Sequence, residues 1–392
     1  MAYYSIFPEK DTTIYSHPDR INMNTGKDEI LELVEEKATT GEIYYSSRIL
    51  IKFKNTDIRD IIQNKLTGVA KEVTTNTCEI SLDLFAGENK RLTSDHTIIA
   101  FPLSQSFDEG TQRYEVNPPT TTTGSNQAAN GATWVHRTNT TSSTWPTTNI
   151  TFGMGASGSY SLQAGGGVWY TGSAFQGSQQ FLKGDNLDTD INVTSIVQKH
   201  SASLFANSTY PTGIDNHGFL IKQPDLVEQD TSSSFGEMKY FSSDTHTIFP
   251  PKLCFKWDDS IHNSQSLAKQ NGELSVSLYR NQEEYNQNDE AFFRIHVRDK
   301  YPTRQFTSSS NYLNPGYFTT SSFYSVRDAY TEEEVIPFDD NFTKMSADSE
   351  GMYFKLYMKG LQPERYYRIL FKHKNDDGTT IYDNDYHFKV VR

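Results

Sequence analysis

The residues that could do chemistry in this chain are carboxylates, large aromatics and one glycine-rich string. Gly153-Met154-Gly155-Ala156-Ser157-Gly158 matches GxGxxG letter for letter. A dinucleotide site needs that string between a buried strand and a helix whose amino terminus holds the pyrophosphate. Here it runs into Ser159-Tyr160-Ser161-Leu162 and then three glycines, so the nucleotide reading fails on context. Carboxylates cluster at Asp185, Asp188 and Asp190, at Asp258 and Asp259, at Glu332 to Glu334, and at Asp339 and Asp340. A pair of them could serve glycoside hydrolysis if held roughly 5 to 10 Å apart, although solvated loop acids are the commoner reading. Hard oxygen ligands for a structural Ca²⁺ are the next option, with Asp185, Asp188 and Asp190 as the ligand set. The ten histidines show no HExxH, and no GxSxG elbow is present, so neither a zinc protease nor a serine hydrolase is indicated. Cys78 and Cys254 fall in or beside apolar runs and read as buried core thiols. Trp134, Trp145, Trp169 and Tyr170 sit among Asn, Gln, Ser and Thr. Sugar-binding surfaces use that mixture, since rings stack on pyranose faces while polar side chains meet hydroxyls. Core or a protein interface suits the same rings.

The elements that must position these groups are mostly strands. From Ser47 to Phe53, Ile49, Ile51 and Phe53 share one face, with Arg48 and Lys52 between them, the pattern of a half-buried strand. Ile80, Leu82 and Leu84 repeat it, and Ile30 to Leu33, Thr97 to Leu103 and Leu253 to Trp257 are further candidates. Alternation places Ile14, Ile49, Ile51, Phe53, Ile80, Leu82, Phe219, Ile221, Leu253 and Phe255 on inward faces of one sandwich. Two short stretches carry helical spacing instead. One is Ile58 to Leu66, with Asn55 or Thr56 as cap, and the other is Ile196 to Leu204 after Thr194.

Composition bounds the rest. The 392 residues suffice for about two or three domains. Aromatics at 13 % are too frequent for a disordered chain. The net charge of −13, with no basic cluster, argues against a nucleic-acid partner. Two cysteines exclude a disulfide scaffold and fit a reduced, cytoplasmic place of assembly. The opening residues lack a signal-peptide pattern, and no apolar run approaches the roughly 20 residues of a membrane helix. Between Val116 and Leu182 the one formal charge is Arg137. This Gly/Thr-rich insertion, at about 105–180, also holds Trp134, Trp145, Phe152, Tyr160, Trp169 and Tyr170, so it reads as loops packed on the sandwich or against a partner rather than as a linker. Periodicity fades at 260–272, a linker, and strands resume in a smaller domain over 273–392. Within it, about 301–348 reads as a loop-rich insertion, and Asn375 to Gly378 as a hairpin turn.

Residues 1–259 resemble the DNRLRE-type jelly-roll modules, relatives of carbohydrate-binding modules. The similar segments are Asp11 to Ser16, Asn24 to Leu33, Ser47 to Phe53 as the family's R-x-L-I-x-F strand, Ile191 to Val197, Asn216 to Ile221, and Tyr240 to Leu253. Asp244 stands where the family often has Glu, and Asn192 where it often has Asp. Ile6 to Asp11 and Gly360 to Arg368 also look like virion structural proteins of marine T4-like tailed phages. Together these resemblances imply an all-β protein: a jelly-roll β-sandwich with short helices, then a smaller carboxy-terminal β-sandwich-like domain. They imply no enzyme but a structural component of a tailed-phage virion, in baseplate, tail or neck, assembled in the host cytoplasm. It would be present in multiple copies and bind other virion proteins. The alternative is an adhesin for a host-surface glycan. No cofactor is expected beyond the Ca²⁺ option at Asp185, Asp188 and Asp190.

Overall fold

The computed structural model describes residues 2–37, 44–66, 73, 78–90, 95–115, 131–138, 143–145, 153–154, 165–205, 213–228, 236–263, 267–270, 273–279, 281–302, 316–375 and 378–392. The fold is all-β with a few short helices. It divides into two compact units, Ile6–Cys254 and a second formed by Met1–Ser5 with Phe255–Arg392. Among the described residues no helix is long and apolar enough to cross a membrane.

The first unit is a jelly-roll-like sandwich. Its larger sheet runs Gly177–Phe181, His96–Pro102, Phe219–Lys222, Tyr44–Phe53, Ile30–Lys37, Gly236–Phe241 and Ala86–Lys90, and Pro8–Tyr15 also pairs with Tyr44–Phe53. Cys78–Asp83 pairs in a smaller sheet with Ile191–Asn192 on one side and, on the other, with the strand Lys252–Trp257, whose first three residues end this unit. Register explains which residues share a face. Leu220 is opposite Leu50 and Phe219 opposite Ile51, while Ile14 is opposite Arg48. Ile49, Ile51, Phe53, Phe219 and Ile221 therefore point one way, and Ile14, Arg48, Leu50, Leu220 and Lys222 the other. Ile14 thus leaves the set expected from alternation, and Phe255 belongs to the second unit.

Both sides of this strand group are buried. Ile14, Leu50 and Leu220 pack with Leu103, Phe107, Ala132, Trp134, Trp145, Val168 and Trp169. The described parts of the uncharged insertion are thus a lid on the sheet's second face, in keeping with a segment packed on the sandwich. The expected helices form as Asn55–Asp60, continued by a wider turn at Ile61–Lys65, and as Thr194–Phe205. Lys54, not Asn55 or Thr56, holds the first cap position.

The second unit stacks two sheets. One contains Leu274–Tyr279, Glu290–Asp299, Gly351–Tyr357 and Ser346–Asp348, and the other Glu284–Asn286, Gly378–Val391, Arg365–Asn375, Ser322–Asp328 and Glu334–Ile336. The core between them is aromatic: Phe354 stacks on Phe293 at 5.1 Å and on Tyr324 at 4.4 Å between ring centres. Asn375 pairs with Gly378, so the expected hairpin closes there, although 376–377 lie outside the described residues. Ser322–Asp328, inside the stretch read as loops, is a central strand pairing with Arg365–Asn375. Its serines hid it. Ser322 and Ser325 are buried but bonded to the Thr319 and Ile336 carbonyls at 2.9 Å each, so a strand covered on both faces shows no apolar alternation.

Candidate functional site

Three of the four rings expected at a binding surface are interior. Trp134, Trp145 and Trp169 are buried in the first unit, where no sugar can reach their faces. The physical reason is Arg48. Alternation places it outward, but its guanidinium lies under the insertion, 4.7 Å from the Trp134 ring centre and 5.2 Å from that of Trp169. Its Nε and Nη2 donate to the two oxygens of Glu228 at 3.0 and 2.7 Å, and Nη1 donates to the Gly166 carbonyl at 2.7 Å. Lys222 Nζ meets the same carboxylate at 2.8 Å and Asp225 at 2.5 Å. Burial works to raise the Glu228 carboxyl, yet Arg48 and Lys222 outweigh it and hold it below the ordinary glutamate value. Gly166, at φ +76°, permits this approach, since a Cβ there would stand 2.6 Å from both Arg48 and Trp134. This ion cluster fastens the insertion to the sheet. It is structure, not a docking surface. Tyr170 is the partly exposed member of the four, stacked on Phe175 at 5.5 Å.

Asp185, Asp188 and Asp190 do not gather into a ligand set. Asp185 accepts from the Leu182 amide, and Asp188 accepts from the Ala86 amide at 2.7 Å and from Asn186. Asp188 therefore has both oxygens engaged, one by a neighbouring strand and one within its own turn. Among the described residues the acids that do converge are Asp11, Glu109 and Asp244, with ligand atoms within 4.8 Å of one another. These donors are the hard oxygens a divalent cation takes, but Lys27 Nζ already bonds Glu109 at 2.6 Å and Asp244 at 3.3 Å. Asp11 accepts from the Ser243 amide and hydroxyl. Burial pushes its carboxyl up to about 7, against those two bonds and with help from Glu109 and Asp244.

Beside this cluster opens a groove of about 360 Å³, at the lower end of the roughly 300–1,000 Å³ of small-ligand pockets. Its floor is the outer side of paired strands, with Ile30, Glu32 and Val34 from one and Glu237 and Lys239 from the other. Leu31 and Leu33, one residue out of phase, face the core. Aromatic rings make the walls. Tyr114 meets Tyr15 edge-on at 5.8 Å and carries the Arg20 guanidinium at 5.4 Å, while Tyr45 meets His17 at 4.5 Å. The polar groups are fixed in place: Tyr15 Oη donates to Glu32 at 2.8 Å, and Lys239 Nζ bridges Glu32 at 3.1 Å and Glu237 at 2.7 Å. Partial burial would lower the Lys239 ammonium, but Glu237 and Glu32 outweigh it and hold it above the ordinary lysine value. Asp28 accepts from the Tyr114 amide, and burial raises its carboxyl.

Sequence reading missed this groove. Its aromatic residues come from positions 15, 17, 45 and 114, with no shared motif. The one local signal was Tyr114 among Arg113 and Glu115, a large ring where the insertion begins. No protein-family model matches the chain, and no curated protein matches it. Among solved structures the chain is similar to the adhesin domain of Epf from Streptococcus pyogenes, with a TM-score of 0.17, 7 % identity and 98 % of each chain covered.

Proposed function

We propose that the first unit is a non-enzymatic carbohydrate-binding module, and that the protein attaches to a surface glycan through the Tyr45 and Tyr114 groove. The observation that carries this reading is the pairing of half-buried tyrosine rings with fixed carboxylate acceptors, Glu32, Glu237 and Asp28, in one groove. Rings take the apolar faces of a pyranose, and carboxylates accept from its hydroxyls. Lys239 and Arg20 balance much of the acidity, which favours a neutral sugar over a charged one. Glu32 is held by Tyr15 and Lys239 together, an arrangement suited to a fixed acceptor rather than to a group that trades protons.

A virion assembly role is the second reading. It is favoured by exposed aromatics of the second unit, Tyr330 at 78 % and Phe292 at 57 % exposure, with Tyr366 packed edge-on against Tyr330 at 6.1 Å. Such rings suit contacts to other virion proteins. One experiment separates the two readings. Multimerised full-length protein is applied to a glycan array beside Tyr45→Ala and Tyr114→Ala variants. One stacking ring contributes about 1 kcal/mol, so each variant should lose about fivefold per site, amplified by avidity in the multimer. An array that stays silent, or variants that bind like the parent, would remove the glycan reading and leave assembly.

A further inference from the structure

The wall of the groove that bears Tyr114 is a loop, and its anchorage is concentrated on one short segment, Asn24 to Asp28. Asn24 Nδ2 donates to the Glu109 carbonyl at 2.7 Å and to the Ala132 carbonyl at 2.9 Å, while its Oδ1 accepts from the Gln112 amide at 3.3 Å. The Lys27 amide donates to the Gln112 carbonyl at 2.9 Å. The Tyr114 amide donates to Asp28 at 3.3 Å. Gly26 is pressed so close that a Cβ would sit 2.0 Å from the Glu109 carbonyl oxygen. These bonds require the loop to stay against three converging carboxylates, Asp11, Glu109 and Asp244. Burial leaves Asp11, raised to about 7, charged in only part of the molecules at neutral pH, so the repulsion that would drive the loop off is chiefly that between Glu109 and Asp244, unless a cation neutralises them.

We propose that Lys27 is that cation: a positioning residue whose ammonium supplies, from within the chain, the charge a bound divalent ion would otherwise supply. By doing so it sets Tyr114 as the groove's wall. The side chain is suited to the part. It bonds Glu109 and Asp244, which come from the loop and from the turn after Gly236–Phe241. Those two acids hold it above the ordinary lysine value against partial burial, so it stays charged throughout the neutral range. It is also adjacent in sequence to Asp28, a groove residue that fixes the Tyr114 amide. The chemical consequence is a groove that needs no divalent cation. This inference takes its importance from the glycan reading, but its loop geometry can be measured without any sugar.

The test compares full-length parent, Lys27→Met and Lys27→Arg by amide hydrogen exchange with no ligand present, in chelator and again in millimolar calcium. In Lys27→Met the Gln112 and Tyr114 amides should exchange several-fold faster, with amides of the strand Glu290–Asp299 in the other unit unchanged. Lys27→Arg should restore the parent rate, because it returns the charge without the same hydrogen-bond geometry. The parent rates should be the same in chelator and in calcium. Unchanged exchange in Lys27→Met would overturn the proposal. So would parent amides that speed up in chelator or slow in calcium, since the carboxylates would then be holding a metal. Glycan-array binding of the same proteins is the second readout. A parent that binds no sugar sinks the groove reading, while the exchange data still decide the role of Lys27.

Discussion

Replacing Glu228 with Gln tests the account of the buried ion cluster most directly. The change keeps the side chain's shape and one acceptor but removes the only buried negative charge described between two buried cations. Arg48 is 1 % exposed and Lys222 0 %. Breaking such a pair typically costs about 3–5 kcal/mol, because the remaining charge has neither water nor a counter-ion. Arg48 keeps its bond to Gly166 and its two tryptophan faces, and Lys222 keeps Asp225. The lower end, about 3 kcal/mol, is therefore expected, or a fall of roughly 6–12 °C in the melting temperature of a unit this size. Trp134 and Trp169 border the cluster, so their fluorescence during urea or thermal unfolding reports on it. Removing all three charges together, Arg48→Met, Lys222→Leu and Glu228→Leu, should cost less than Glu228→Gln alone, since nothing is left uncompensated. The pH dependence has a definite sign. Glu228 is held below its ordinary 4.5, so its contribution is present above about 4.5 and is lost as pH falls through the lower folded value. The parent should show that acid limb and Glu228→Gln should show less of it. A variant within about 0.5 kcal/mol of the parent, with an unchanged acid limb, would refute the reasoning.

Asp11 should act in the opposite sense. Its carboxyl is raised from 3.8 to about 7, so the stability tied to it is present below its unfolded value and is lost as pH rises through the folded one. Urea midpoints measured from pH 4 to pH 8 should therefore fall in the parent and stay flatter in Asp11→Asn. Gly166→Ala should destabilise by at least about 1–3 kcal/mol, because it adds a clash with Arg48 and Trp134 to an unfavourable positive φ. Gly184→Ala, at φ +95° with nothing within 4 Å of the new methyl, carries the φ strain alone, so calorimetry on the pair isolates the clash.

The strands were legible where one face met the core and the other alternated with polar residues. Leu274–Tyr279 and Glu290–Asp299 show that pattern in their burial. Tyr44–Phe53 was legible as a strand but not in its environment. Arg48 between Ile49 and Ser47 looks like a solvent-facing charge, and only Glu228, 180 residues further along, makes its burial tolerable. No local pattern carries a partner at that distance. The same limit hid the groove, whose rings converge only after Pro8–Tyr15, Tyr44–Phe53 and the Glu109–Tyr114 loop have been set side by side. The insertion's composition was informative in a different way. A stretch with almost no charge and several tryptophans fits burial and sugar binding equally well, and what decides between them is whether a neighbouring surface offers the rings a partner.

Arg48 offers that partner, and the choice has a consequence for where recognition can occur. Once Trp134 and Trp169 are spent on a guanidinium under the lid, the second face of the sheet is closed over its central strands. On the glycan reading, a ligand would meet the groove instead, where Ile30–Lys37 and Gly236–Phe241 carry Ile30, Glu32, Val34, Glu237 and Lys239. The lid and the groove are thus complementary uses of one sheet. An ion cluster secures the covered part, Lys27 and Asn24 secure the loop at the margin, and Tyr114 on that loop is the ring that the proposed glycan would meet.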